Sequence, residues 1–124
     1  MKEIEAKILE INKNEVEKKL RALGAKKVFD GKIDIRYFDF PGKTLKKRGI
    51  ILRLRNKGNH GELTVKSNFV RTKGAKTSYE EETPVDFNAT RKVLIALGYQ
   101  EITRSTKHRI EYVFDSVKFE IDKL

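Results

Sequence analysis

The chain has 124 residues, of which 37% are charged and 38% hydrophobic, and it carries a net charge of +10 at neutral pH. This length suits one domain with a modest core, and the absence of cysteine excludes disulfides and thiolate metal sites. No apolar run reaches transmembrane length and the N-terminus has no signal-peptide pattern, so we predict a cytoplasmic protein without a membrane partner.

The first third of the sequence predicts two strands with a helix between them. The strand 2–9 is followed by a helix over 12–24, in which Gly24 provides the C-terminal stop. A second strand covers 32–40, and the segment 41–49, rich in lysine with Pro and Gly, is predicted to be a basic loop.

The remainder of the sequence is rich in strands. A hairpin is predicted from 50–56 and 62–67, followed by a mobile basic loop over 68–77 and a strand over 78–85. A second helix over 86–98 precedes two further strands, 105–115 and 117–122. About seven strands and two helices result, which indicates the α+β class.

A weak internal repeat accompanies this order. In each half an acid-x-acid strand leads to a helix ending Ala-Leu-Gly and then to an aromatic strand ending in Asp. The repeat predicts two similar halves arranged around a shared centre.

The predicted strands also carry charged residues at alternate positions, often in pairs of one sign. In "LRLR", for example, Arg53 and Arg55 share one face and the two leucines share the other. The bases in this pattern are Lys7, Arg53, Arg55, Lys66, Lys107 and Arg109, and the acids are Glu3, Glu5, Glu80, Glu82, Glu111, Glu120 and Asp122.

For any single strand, a charged face turned to water is the better interpretation. Two features instead favour a curved sheet whose charged faces turn inward. The charges come in ordered pairs of one sign, and the two predicted helices have apolar faces that need a cover. A polyphosphate with a divalent metal would satisfy both signs, since arginine and lysine bind phosphate oxygens and carboxylates bind the metal. With two histidines and no cysteine, oxygen ligands and hence Mg²⁺, Mn²⁺ or Ca²⁺ are favoured.

At this point the order of motifs resembles the CYTH family, the triphosphate tunnel metalloenzymes, which include class IV adenylate cyclases and thiamine or inorganic triphosphatases. The motifs are "EIEAK", "YFD", "GIILRLR", "LTVK", "YEEETPV", a helix ending "ALG", "TKHRIEY" and "KFEID". The resemblance spans 1–124 as a single domain. It implies an α+β fold, an antiparallel β-barrel of about seven to eight strands with helices packed outside.

The resemblance also implies roles for the charged residues. Glu5 and Lys7 would be catalytic. The triphosphate would be bound by Lys7, Arg53, Arg55, Lys66, Lys107 and Arg109. Mg²⁺ or Mn²⁺ would be bound by Glu3, Glu5, Glu80, Glu82, Glu120 and Asp122.

One departure from the family pattern concerns the C-terminus. Family members continue beyond the "FEID" strand to a further acidic strand and a helix, whereas this chain ends at Leu124. We therefore expect a barrel that is one strand short through C-terminal truncation, or one that a neighbouring chain completes, with a homodimer as one arrangement.

Three functions stay open at this stage. The first is a metal-dependent enzyme acting on ATP, tripolyphosphate or thiamine triphosphate, as a cyclase or a phosphohydrolase. The second is a module that binds polyphosphate without turnover. The third, a nucleic-acid binder, ranks last because the bases alternate with acids. Phe38, Phe40 and Phe69 are candidates for a purine pocket, although core or loop packing is the favoured interpretation.

Overall fold

The computed structural model describes the backbone of residues 4–9, 13–72 and 74–123, and the side chains of 13–70, 74 and 77–123. The strands are β1 (Ile4–Leu9), β2 (Lys26–Asp39), β3 (Ile51–Lys57), β4 (His60–Thr72), β5 (Ala75–Val85), β6 (Gln100–Phe114) and β7 (Val117–Lys123). The helices are α1 (Lys13–Ala22), α2 (Thr44–Lys47) and α3 (Phe87–Ala96). Seven strands and three helices in the described ranges confirm the α+β class.

The chain folds as two compact units. The first holds the chain before residue 34 and after residue 105, and the second holds 34–105. Each of the long strands β2 and β6 has one part in the first unit and one part in the second. None of the helices in the described ranges is long and apolar enough to cross a membrane.

The first unit is a sheet of order β1-β7-β6-β2, covered by α1. β6 and β7 form an antiparallel hairpin whose turn lies at Asp115 and Ser116, both with positive φ. β1 is parallel to β7. A parallel pair is possible here because β1 and β7 are distant in sequence and no tight turn joins them.

The apolar face of the first unit is covered by α1. Leu20 of the helix lies in one buried cluster with Ile110, Tyr112 and Ile121 of the hairpin. Glu17 accepts a 2.8 Å hydrogen bond from the Tyr112 hydroxyl, which satisfies a polar group at the edge of this core. Because side chains alternate along a strand, the odd-numbered residues of β6 turn to the opposite face of the sheet.

The second unit is a sheet of order β6-β2-β3-β4-β5, in which β3, β4 and β5 are antiparallel neighbours. Leu52 and Leu54 of β3 are buried with Phe38 and with Leu94 of α3. Arg53 and Arg55 alternate with these leucines, so they belong to the face that α3 does not cover.

Both longer helices end in the same way, at the repeated Ala-Leu-Gly. In α1, Gly24 N–H donates to the Arg21 carbonyl and Ala25 N–H donates to the Leu20 carbonyl, each at 3.0 Å. The corresponding groups of Gly98 and Tyr99 donate to residues of α3 at 3.0 Å. This is a Schellman motif, which needs positive φ at the glycine: Gly24 has 89° and Gly98 has 101°.

Two predicted loops contain regular structure. Within 41–49 the short helix α2 forms, because the buried Asp39 carboxylate accepts backbone N–H groups of Leu45 and Lys46 at 2.9 and 3.1 Å. The prediction of a mobile loop over 68–77 is also wrong, since β4 and β5 pair up to Thr72 and Ala75. The basic composition of this segment concealed Val70 and Thr72, residue types that favour strands.

Candidate functional site

The first unit contains a group of charged residues on β6 and β7, here named the β6–β7 cluster: Lys107, Arg109, Glu111, Glu120 and Asp122. The strand register pairs Arg109 with Asp122 and Glu111 with Glu120. Arg109 donates from Nε and Nη2 to the two carboxylate oxygens of Asp122, at 2.7 and 3.0 Å. Its Nη1 donates to Glu120 at 2.8 Å, and Lys107 Nζ donates to Asp122 at 2.9 Å. The four predicted site residues on these strands are therefore in contact.

Three charged members of this cluster are buried, and Lys107 and Asp122 are half-buried. Arg109 is 4% exposed, and Glu111 and Glu120 are each 2% exposed. Burial alone would raise the pKa of Asp122, but hydrogen bonds from Arg109 and Lys107 outweigh it and lower the pKa to about 2. Burial would lower the pKa of Arg109, yet Asp122, Glu120 and Glu111 raise it above its usual value. The surroundings of Asp122 and Arg109 thus stabilise both groups in their charged forms.

The lowered pKa of Asp122 makes stability depend on pH. In the unfolded chain this carboxyl titrates near 3.8 and in the folded chain at about 2. Protons then bind the unfolded chain more readily, so the stabilisation is complete above pH 3.8 and is lost as the pH falls towards 2. The shift corresponds to about 2 kcal/mol.

We therefore expect the difference in unfolding free energy between the wild type and Asp122→Asn to shrink as the pH falls through this range. Urea denaturation at pH 5, 3.5 and 2.5 measures it. A difference that stays constant across the three pH values would contradict the role given to Asp122.

The predicted site residues of the N-terminus lie on or before β1. Glu3 lies outside the described residues. Glu5 and Lys7 belong to β1, whose side chains lie outside the described part, and the backbone register pairs Glu5 with Lys118 and Lys7 with Glu120. The register places Lys7 beside one member of the β6–β7 cluster, and the predicted catalytic roles of Glu5 and Lys7 stay predictions.

The second unit contains another charged group, here named the β3–β5 cluster: Arg53, Arg55, Glu62, Thr64 and Glu82. Arg55 Nη2 donates to both carboxylate oxygens of Glu62, at 3.1 and 3.2 Å. The Thr64 hydroxyl donates to Glu82 at 2.8 Å and accepts from Arg53 at 3.4 Å. Arg53 Nη2 lies 3.7 Å from the Glu82 carboxylate. Each arginine therefore lies close to a carboxylate on another strand of the sheet.

The surroundings in this second cluster favour the ionised form of Glu82. Burial would raise the pKa of Glu82, but the Thr64 hydroxyl, a hydrogen bond with Glu62 and the positive charges of Arg55 and Arg53 lower it. Arg53 Nε and Arg55 Nε are buried, and neither has an acceptor among the side chains that the structure describes. A buried N–H without an acceptor is costly, so both guanidinium groups retain capacity for an anion.

The other two predicted residues of this unit, Lys66 and Glu80, occupy directly paired positions of β4 and β5. They belong to the same face as Thr64 and Glu82, because paired positions two residues apart share a face. Glu80 is exposed. The structure thus assigns the predicted residues of β3, β4 and β5 to one face of one unit.

Two residues that the sequence analysis did not place in the site are Glu62 and Thr64. Glu62 is 9% exposed and Thr64 is completely buried. The signal that could have identified them is the alternation in "ELTVK", which puts both residues on the face of Lys66. They hydrogen-bond with Arg55 and Arg53 and help to hold the two guanidinium groups in place.

The described residues do not by themselves form a divalent-metal site. Among them, no three His, Asp or Glu side chains are grouped so that they could hold a metal ion. Both oxygens of Asp122 already accept hydrogen bonds from Arg109, and one also from Lys107. The described carboxylates therefore do not fit a metal centre without additional ligands, and the predicted ligands Glu3 and Glu5 have no described side chains.

Comparison with known proteins gives one family match and several related folds. The family model described as the CYTH domain matches residues 1–124. No curated protein matches the chain.

Among solved structures, one from Vibrio parahaemolyticus, assigned as an adenylate cyclase, is 20% identical with a TM-score of 0.74, covering 92% of this chain and 64% of its own. The PH1012 protein of Pyrococcus horikoshii is 25% identical with a TM-score of 0.65, at 90% and 65% coverage. HpAC1 of Hippeastrum, described as having a dominant triphosphatase activity, is 15% identical with a TM-score of 0.64, at 90% and 67% coverage. The chain spans less than two thirds of the first two proteins.

Proposed function

Because the chain belongs to the CYTH domain family, we propose that it binds a triphosphate compound and acts on it as a divalent-metal-dependent enzyme. The substrate class would include ATP, tripolyphosphate and thiamine triphosphate. The requirement for Mg²⁺ or Mn²⁺ belongs to this proposal. It rests on the carboxylates predicted as ligands.

The main observation behind the proposal is that Arg53 and Arg55 have hydrogen-bond donors without acceptors. Their guanidinium groups lie on one face of the second unit, on the same strand, and two of their buried N–H groups lack acceptors among the described side chains. Guanidinium groups bind phosphate oxygens through paired hydrogen bonds that are stronger than those between neutral groups. A phosphate chain would satisfy these donors and add a negative charge beside the positive ones.

The β6–β7 cluster supports the proposal from the first unit. Asp122 holds both Arg109 and Lys107, which fixes two cationic groups before any ligand binds. Donors that are already oriented lose little entropy on binding, and they can stabilise the negative charge that develops on phosphoryl oxygens. Arg109 and Lys107 would therefore contribute to binding and to stabilisation of the transition state.

The reaction depends on which nucleophile attacks the phosphoryl group. Attack by water would give phosphate release, and attack by a ribose 3′-hydroxyl would give a cyclic nucleotide. We propose hydrolysis as the principal reaction, because HpAC1 is described as predominantly a triphosphatase and shares the fold.

Steady-state assays test this function directly. We expect phosphate release from tripolyphosphate, ATP or thiamine triphosphate with Mg²⁺ or Mn²⁺, and loss of that activity in EDTA. Cyclic AMP, measured in the same ATP reactions, would be a minor product or absent. Release of phosphate from none of the three compounds under any metal condition would contradict the enzymatic proposal.

A second candidate, a binding module without turnover, is favoured by one observation: the described residues contain no group of three potential metal ligands. This candidate predicts calorimetric binding of tripolyphosphate that EDTA leaves unchanged, together with no phosphate release. Binding that requires metal, or measurable turnover, would exclude it.

A further inference from the structure

The positive charge of the chain is concentrated in one segment of the second unit. Residues 40–79 contain eleven lysines and arginines and one acid, Glu62, whereas the other 84 residues contain 17 bases and 17 acids. The net charge of +10 therefore comes entirely from this segment, which comprises α2, β3, β4 and the first residues of β5. Such an asymmetry attracts anions to one part of the surface and indicates a polyanionic partner.

The proposed triphosphate site accounts for only some of these cations. Arg53, Arg55 and Lys66 belong to the strand face that is proposed to bind the triphosphate. Four further cations lie at α2 and are here named the α2 basic group: Lys43, Lys46, Lys47 and Arg48. All four are exposed, and among the described side chains no ion pair joins any of them to an acid.

The α2 basic group is held in a fixed arrangement. Leu45 is 8% exposed in the core of the second unit, and the Asp39 carboxylate accepts the backbone N–H groups of Leu45 and Lys46. Lys47 N–H donates to the Lys43 carbonyl at 3.0 Å, which keeps the group within about one helical turn. Like charges this close repel one another, and a bound anion would remove that cost.

The exposure of these side chains favours a polymeric anion over a second small phosphate compound. An exposed cation binds a single phosphate weakly, because water and salt screen the contact. A nucleic acid presents phosphates at regular intervals, and several exposed cations together release its condensed counterions. A flexible single strand can bring successive phosphates around a group confined to one helical turn.

An anionic lipid surface suits the α2 basic group less well. Segments that bind membranes combine basic residues with exposed large apolar side chains that enter the lipid. The one apolar residue of α2, Leu45, is instead buried in the core. Residues 40–61 also contain no acid, so the alternation of bases with acids that disfavoured a nucleic acid on the strand faces does not apply to α2.

We propose that the α2 basic group binds the phosphate backbone of a single-stranded nucleic acid. This activity is additional to the proposed triphosphate function and does not rest on it. Because the contacts go to phosphates, binding should be independent of base sequence and should weaken steeply with salt.

Fluorescence anisotropy of a labelled single-stranded oligonucleotide of about 20 nucleotides, titrated with the full chain, tests this proposal. We expect the triple variant Lys46→Gln, Lys47→Gln, Arg48→Gln to bind about 10- to 100-fold more weakly at about 0.1 M salt. The slope of log K against log salt concentration should fall in magnitude by about 2. Lys47→Gln alone should weaken binding about fivefold, and it replaces the triple variant if that variant is unstable in thermal melting.

A control variant with the same change in net charge is Lys18→Gln, Lys19→Gln, Lys26→Gln, which removes three exposed cations of the first unit. It should bind the oligonucleotide nearly as well as the wild type. Equal losses in the two triple variants would show that net charge alone drives binding and would overturn the proposal. Binding of the wild type to phosphatidylserine vesicles but not to the oligonucleotide would overturn it as well.

A second comparison separates this surface from the triphosphate site. The α2 triple variant should change tripolyphosphate affinity less than about twofold, and Arg53→Ala should change oligonucleotide affinity equally little, since screened charges on different elements act nearly independently. Loss of oligonucleotide binding in Arg53→Ala would place the nucleic acid on β3 and refute the proposal. The phosphate-release assay does not depend on any of these results, so the proposed function is tested separately.

Discussion

Replacing Arg109 with methionine is expected to lower the free energy of unfolding at pH 7 by about 3–5 kcal/mol, the cost of breaking a buried ion pair on one side. Methionine retains much of the side-chain volume but removes the three hydrogen bonds that Arg109 donates to Asp122 and Glu120. Glu111 and Glu120, each 2% exposed, would then be buried carboxylates without the nearby guanidinium charge. Urea denaturation followed by circular dichroism measures the loss.

Two companion variants make the Arg109 experiment specific. Lys107→Met removes a single bond to Asp122, which keeps both of its bonds from Arg109, so the loss should be clearly smaller. Glu120→Gln in the Arg109→Met background removes one of the buried carboxylate charges that Arg109 contacts and should recover part of the stability. A loss below about 1 kcal/mol in Arg109→Met would show that the cluster is well hydrated and that burial does not control its energetics.

The second large effect concerns ligand binding by Arg53. In Arg53→Ala we expect the affinity for tripolyphosphate to fall about 10- to 100-fold, because a hydrogen bond between charged partners contributes about 1.5–3 kcal/mol. The fold should tolerate this change, since within the described part of the chain the polar partners of Arg53 are Thr64 at 3.4 Å and the partly exposed Glu82 at 3.7 Å. Isothermal titration calorimetry at fixed ionic strength gives the affinity, and thermal melting checks the fold.

Two control variants separate the effect of the Arg53 guanidinium group on affinity from the effect of net charge. Arg53→Lys keeps the positive charge but loses the planar fork, and an intermediate affinity is expected. Lys92→Ala removes one charge from α3, the helix that covers the opposite face of the second unit, and should leave binding nearly unchanged. If Lys92→Ala weakens binding as much as Arg53→Ala, general electrostatic attraction explains the binding and the assigned site is wrong.

When no ligand is bound, the charged side chains of both clusters are held by ion pairs within each cluster. In each cluster the cations are paired with acids on other strands, and those acids orient the cations. A triphosphate must compete with these acids for the guanidinium groups, so part of its binding free energy would offset the broken ion pairs. Affinity should therefore rise when Glu82 is neutralised, provided that Thr64 still holds Arg53.

The sequence by itself determined which residues share a face. Alternation along "LRLR", "LTVK", "KHRIEY" and "KFEID" separated charged from apolar positions correctly in both units, because the side-chain period of a strand is a local property of the backbone. The two Ala-Leu-Gly helix ends were equally evident, since the Schellman motif is formed by residues adjacent in sequence.

Only the tertiary structure decided which charges meet. The pairing of Arg55 with Glu62, and of Arg53 with Thr64 and Glu82, depends on the register between strands, which alternation within one strand does not contain. Arg36 shows the same limit: it is 8% exposed, bonds to Asp34 and Glu101, and lies over the Phe87 ring of α3. Partner choice and burial are long-range properties, because they are set by residues far apart in the chain that meet only when it folds.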